Sequence, residues 1–192
     1  MTRARILAEA RTVFARHGYA QASLREIAEG VGVKTPSLYA HVPSKAALYE
    51  AVYAEVAAEH TAFFDELVRT SGHLEPLDRL HNLLSGIGEY YRDHPDEHAF
   101  SLRAATDEHG PEGQPLRQIF LDSESTLAAA VRQAYDDGVA SGDFAAGDAD
   151  GFIALVFVVM DGLFLQIAHY SPELYAQRVE QAWGHLARIL TP

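Results

Sequence analysis

The sequence predicts an all-α protein: a small head of three short helices, one long connecting helix and a larger helical body, about nine helices in all. Three observations carry that expectation. Apolar residues recur at helical spacing from one end of the chain to the other. No stretch alternates with the period of two that marks a half-buried strand. Helix starts are written by Ser, Thr and Asp, and helix ends by Gly and Pro.

In the first helix Ile6, Ala10, Val13, Phe14 and His17 fall on one face, and Gly18 stops it where a left-handed residue suits a helix end. Ser23 opens the second, with Glu26 three residues on as the partner in a capping box. Leu24, Ile27, Ala28 and Val31 form its buried stripe, and Gly30 and Gly32 end it. A third helix restarts with Thr35 as N-cap and Pro36 at the first helical position, and Val42-Pro43 breaks it. Ser44 caps a fourth, much longer helix, with Leu48, Val52, Val56, Phe63 and Leu67 down one side until Ser71-Gly72. The head spans residues 1–48 and the body 49–192.

Beyond Gly72 the body reads as helices over 76–92 and from 95 to near Glu108, a loop over 109–115, and a long helix over 116–139. A break follows at Ser141-Gly142-Asp143. Asp148 then caps a strongly apolar helix running to about His169, and Ser171-Pro172 caps the last one, which ends near Leu190.

Composition limits the function classes. With 48% hydrophobic and 22% charged residues the chain is globular rather than disordered. It has no cysteine, which removes disulfides, thiolate nucleophiles and cysteine-built zinc sites together. The most apolar stretch, 152–165, contains Asp161 and Gly162 and is shorter than the roughly 20 residues a bilayer needs, so no membrane span is expected. Glu9 sits in what would be the apolar part of an export signal, and a cytoplasmic protein is the simplest reading. The net charge is −12, but residues 1–50 hold seven basic against four acidic side chains, a local +3 that leaves −15 for the rest. A basic head on an acidic body suggests nucleic acid at one end only.

Residues 24–41 read LREIAEGVGVKTPSLYAH. A helix-turn-helix needs two short helices crossing steeply around a turn of three or four residues. Ala28 supplies the small residue where the second helix crosses the first, and Gly32 the positive φ of the turn. Ile27, Val31, Val33 and Leu38 fill the angle between them. The stretch GVGVKTPSLYAHVPSKAALYEAV, together with REIA and FARHGYAQAS before it, resembles the head of TetR-family transcriptional regulators over roughly residues 4 to 55.

The resemblance implies a third helix in the major groove, its N-terminal side chains at base edges. Lys34, Thr35, Ser37 and His41 would reach bases or phosphates, and Pro36 and Ala40 depart from a fully polar reading surface. Tyr39 either donates to a phosphate or packs with a wet tip. Ser23 with the first turn of helix two, and Ser44 with Lys45 at the start of helix four, would receive phosphates, and Arg25, Arg3 and Arg5 add counter-charge.

Helix 152–165 is apolar on nearly every side, so one face covers the body's core and the other calls for a partner subunit. With the last helix it would build the two-fold interface the family uses. Phe152, Val156, Val159, Leu163, Trp183, Leu186 and Ile189 are the candidates for that homodimer interface. Tyr90, Tyr91, Phe100, Phe120, Phe157, Met160 and Phe164 are candidates to line a pocket for an apolar or aromatic small-molecule effector.

Other signals are weaker. Gly30–Thr35 fails as a phosphate loop because Val33 precedes Lys34 where a glycine is required. His94 and His98 are four apart, but Pro95 starts a helix between them, so a capping or surface role is expected and no metal. No catalytic arrangement stands out and no cofactor is implied. The expectation is a non-enzymatic regulator, a repressor released from a near-palindromic double-stranded DNA operator by its effector. The rival reading is a helical ligand-binding or catalytic protein that keeps the helix-turn-helix shape without binding DNA.

Overall fold

A computed structural model describes residues 3–107, 110–111 and 114–191. Among these residues are nine α-helices and no strand: α1 (Arg3–Gln21), α2 (Leu24–Val31), α3 (Thr35–Leu38), α4 (Lys45–Ser71), α5 (Pro76–Asp93), α6 (Pro95–Thr106), α7 (Gln114–Ser141), α8 (Ala149–Gln166) and α9 (Pro172–Leu190). The caps at Ser44, Asp148 and Ser171 close as their sequence positions require. Their side-chain oxygens accept from the backbone N–H of Ala47, Gly151 and Leu174 at 3.0, 3.0 and 3.4 Å.

Several local expectations change. Gly18 breaks α1 with φ 72° and ψ 172°, yet helical turns resume and carry the element to Gln21. The capping box at α2 closes only halfway. Ser23 Oγ accepts from the Arg25 N–H at 3.2 Å, but Glu26 turns back to α1, where His17 and Arg16 lie at 3.1 and 3.7 Å. The N-cap of α3 is Lys34 rather than Thr35, which leaves Pro36 one place further in. The single turn is too short for the one-residue difference to alter what it exposes. Of the expected loop over 109–115, Gly110 and Pro111 are described, α7 already begins at Gln114, and His109, Glu112 and Gly113 lie outside the described residues, as does Glu108.

The residues form two compact units. The first runs to Glu59 and resumes over His94–Asp122. Its core holds Ile6, Leu7, Phe14, Ile27, Leu38, Leu48, Val52 and Phe100, each at most 2% exposed. In this unit α6 packs along α1, which draws Phe100 into the ring cluster of Tyr49 and Tyr53 at 5.3 and 6.3 Å. His98, expected at the surface, is buried there as well, at 7% exposure.

The second unit takes His60–Asp93 and the described chain from Ser123 onward. Leu83, Leu84, Val131, Met160 and Leu190 are buried in its centre, and α5, α8 and α9 pack on one another. Phe152, Val156, Leu163 and Leu186 are also buried in this core, so these four candidates for a subunit interface face inward. Of the other three, Val159 and Trp183 are partly buried and Ile189 is exposed. The outward line of α8 consists of Ala154, Leu155, Val158, Asp161 and Leu165 instead. A helix apolar all round carries no sequence signal for which side turns in. With 18 residues at a mean hydropathy of 1.7, α8 is also long and apolar enough to cross a bilayer by composition, which the shorter 152–165 window did not suggest.

Candidate nucleic-acid interface

The geometry of the head begins at Gly32. With φ 83° it caps α2 in the left-handed conformation, its N–H donates back to Glu29 O at 3.0 Å, and the Val33 N–H donates to Ala28 O at 2.8 Å. This closure satisfies the last carbonyls of α2 and turns the chain sharply into α3. A residue with a β-carbon pays steric strain in that conformation, which is why a glycine stands there. Arg5 adds a long hydrogen bond from α1 to Val31 O at 3.5 Å.

Behind the turn, Leu38 is fully buried against the head core and anchors α3. Most of what α3 and the residues just after it offer is exposed, although Val42 at the exit is buried. Lys34, Pro36, Ser37, Tyr39, Ala40 and His41 are exposed and Thr35 is half-buried. Tyr39 shows 53% of its surface, which favours a ring available to a partner over a packed one. A one-turn helix held by a single buried leucine and presenting a lysine, two hydroxyls, a phenol and an imidazole suits hydrogen bonding to base edges and phosphates.

The flanking candidates are more engaged. Ser23 and Ser44 are exposed but serve as caps of α2 and α4. Arg25 Nε donates to Glu29 Oε1 at 2.8 Å along its own helix, a surface pair that raises the guanidinium pKa. Lys45, expected at a phosphate, sends its Nζ to Ala20 O at 3.0 Å and lies 4.7 Å over the Tyr19 ring. Partial burial holds its pKa below the usual lysine value. Lys45 thus ties the start of α4 to the end of α1, a role that its position in the sequence does not reveal.

In the second unit a ring cluster gathers around His60. Its imidazole lies 4.8 Å from Phe64, 5.1 Å from Tyr90 and 5.6 Å from Tyr91, centroid to centroid, and Tyr91 meets Phe164 at 5.2 Å. Tyr90, Tyr91, Met160, Phe157 and Phe164 therefore belong to one apolar cluster. Phe100 belongs to the other unit's core, and Phe120 is 51% exposed, so these two stand apart from that set. His60 was not singled out in the sequence, although it continues the Val56 face of α4 at helical spacing alongside the expected Phe63. Gln166 Oε1 and the Tyr175 hydroxyl are among the polar atoms of this unit that are buried without a hydrogen-bond partner among the described residues. Burial pushes the Tyr175 pKa up to about 12. Among the described residues no group of histidines and carboxylates is arranged to hold a metal.

Comparison with known proteins gives the same reading of the head. Residues 6–52 match the family model of bacterial regulatory proteins of the tetR family. No curated protein matches the chain in sequence. A transcriptional regulator from Saccharomonospora viridis, solved in complex with choline, superposes with a TM-score of 0.82 at 20% identity, covering 99% of this chain and 97% of its own. A TetR transcription regulator from Haloarcula marismortui gives 0.79 at 17% identity, with coverage of 98% and 97%. The regulator FadR from Bacillus subtilis, in complex with stearoyl-CoA, gives 0.76 at 16%, with 98% and 99% covered. At these identities the solved structures speak for the fold, and the matched head speaks for the family. Residues 6–52 thus carry the head described for bacterial regulatory proteins of the tetR family, a DNA-binding helix-turn-helix, and the chain shares along nearly its whole length the fold of solved transcriptional regulators.

Proposed function

We propose that the protein is a cytoplasmic, homodimeric repressor that binds a near-palindromic operator and leaves it when a small molecule occupies the body. The observation that carries this reading is α3: one buried leucine beneath a turn whose remaining side chains are almost all exposed and able to hydrogen-bond. Two such turns, related by a two-fold axis, would enter successive major grooves roughly 34–36 Å apart. The outward line of Leu155, Val158 and Leu165 on α8, with Ile189 on α9, supports pairing of two copies, because exposed apolar side chains in a row gain most by mutual burial.

The effector class follows from the ring cluster around His60, Tyr90 and Tyr91, which suits an apolar or aromatic group. The buried Gln166 and Tyr175 polar atoms would serve a hydrogen-bonding substituent on it. Two of the similar regulators were solved with choline and with stearoyl-CoA, which supports a small-molecule effector without selecting one. By reciprocal coupling an effector that weakens DNA binding is itself bound more weakly by the DNA-bound protein. Movement of α4, which contributes residues to both units, is the proposed carrier of that coupling.

The test is selection of duplexes by the purified protein from fragmented genomic DNA at low salt. Enrichment of a short near-palindrome, with affinity falling steeply as salt rises, is expected. A folded, effector-free dimer that enriches nothing overturns the DNA reading.

A further inference from the structure

The break at Gly18 leaves α1 with a problem that α6 solves. When the helix turns out of register at ψ 172°, the next N–H, that of Tyr19, is displaced from the regular ladder. The Asp107 carboxylate, at the C-cap of α6, accepts from that N–H at 2.9 Å. One turn earlier on α6, Arg103 Nη2 donates to Arg16 O, just before the break, at 3.1 Å. A carboxylate at a helix C-terminus opposes the helix dipole, so Asp107 gains nothing from its own helix and is held there by its partner.

The fit is close. A β-carbon on Gly18 would stand 3.0 Å from Asp107 Oδ2 and 3.4 Å from Arg103 Cδ, in a backbone conformation (φ 72°) that already disfavours one. From the other side, Lys45 fixes the resumed turn through Ala20 O. Four residues after Tyr19 comes Ser23, the N-cap of α2. The end of α6 is thereby fastened to the short segment that delivers the chain into the helix-turn-helix.

We infer that Asp107 and Arg103 are positioning residues for DNA binding: they clip the α6 terminus across the Gly18 break and so hold α2 and α3 in the orientation that DNA requires. In this reading both act through the segment joining α1 to α2 rather than by touching DNA. The inference rests on the DNA-binding reading above. Both side chains border an open polar cleft of about 360 Å³, together with His17, Gln21 and Thr106. Truncating them therefore opens no cavity in the core and leaves the fold intact.

The test compares full-length variants on the duplex that the wild-type protein enriches from a random-sequence pool. Asp107→Ala removes the acceptor and weakens binding roughly tenfold, the scale of one lost charge-assisted bond. Asp107→Asn keeps a carbonyl for the Tyr19 N–H and restores most of the affinity. Arg103→Ala weakens binding in the same way, and Arg103→Lys, which keeps a donor, recovers it. In all four the slope of log affinity against log salt stays at the wild-type value, because no phosphate contact is lost. The clip is overturned if Asp107→Ala and Arg103→Ala bind like wild type, if the conservative variants fall as far as the alanines, or if the salt slope drops. If the wild-type protein enriches no duplex, the DNA reading falls and the inference with it. If wild type enriches one and the alanines bind it normally, the inference alone fails.

Discussion

Replacing Lys45 with alanine separates two roles that the sequence alone cannot tell apart. The structure gives its ammonium two internal partners, Ala20 O at 3.0 Å and the Tyr19 ring at 4.7 Å. A hydrogen bond from a charged donor contributes on the order of 1.5–3 kcal/mol when shielded, and screening at this half-buried site reduces it to about 1 kcal/mol. A cation over an aromatic face at such a site adds about 0.5–1 kcal/mol. Lys45→Ala should therefore cost about 1.5–2 kcal/mol of stability in the absence of DNA. For a chain of this length that is a fall in Tm of about 3–8 °C. Thermal unfolding followed by circular dichroism reads it. DNA binding should weaken on every sequence, because the end of α1 loosens. The salt slope distinguishes the mechanisms: a lost phosphate contact lowers it by roughly 1, whereas a lost internal tie leaves it unchanged. An unchanged Tm with a lowered slope would refute the internal role and return Lys45 to the phosphate backbone.

Two further outcomes follow from the same geometry. Glu59 shares Arg11 with the buried Glu97, and burial, then the Glu97 charge, raise its pKa against the opposing pull of Arg11. A raised carboxyl pKa contributes stability that is present below its unfolded value and lost as pH rises through the folded one. Glu59→Gln should thus gain Tm over wild type as pH climbs from about 4 to about 7, and a difference independent of pH would contradict the assignment. Val158 is 68% exposed on the outward line of α8, so Val158→Asp should leave the monomer's fold intact while placing an unpaired charge in the proposed subunit interface. A penalty of roughly 3–5 kcal/mol would weaken association more than a hundredfold, and light scattering should report a dimer for wild type and a monomer for the variant; a wild-type monomer would contradict the proposed pairing.

Much of the head, and the helix starts of the body, were legible because their determinants are local. Ser23, Ser44, Asp148 and Ser171 act on backbone groups two or three residues away, and Gly32 acts on its own φ, so reading along the chain suffices. What escaped the sequence depends on distant partners. Glu26 forgoes the cap because His17 and Arg16 come within reach on α1. Phe100 joins the head core because α6 lies along α1. The Tyr19–Asp107 bond spans 88 positions and follows a glycine that reads simply as a helix stop. On α8 the obstacle is different: with apolar residues on every side, periodicity names a helix but not its inner face. Phe152, Val156 and Leu163 turned in while Leu155, Val158 and Leu165 turned out.

The central claim is that α3 reads base sequence, and parallel selection by wild type and by Ser37→Ala tests it most directly. Ser37 is exposed on α3 and its side chain has no internal tie among the described residues that its loss would break. The account predicts that both proteins enrich a near-palindrome and that Ser37→Ala relaxes or changes the preferred base at one position in each half-site. An identical consensus from Ser37→Ala, at unchanged affinity, would contradict the placement of α3 in the groove.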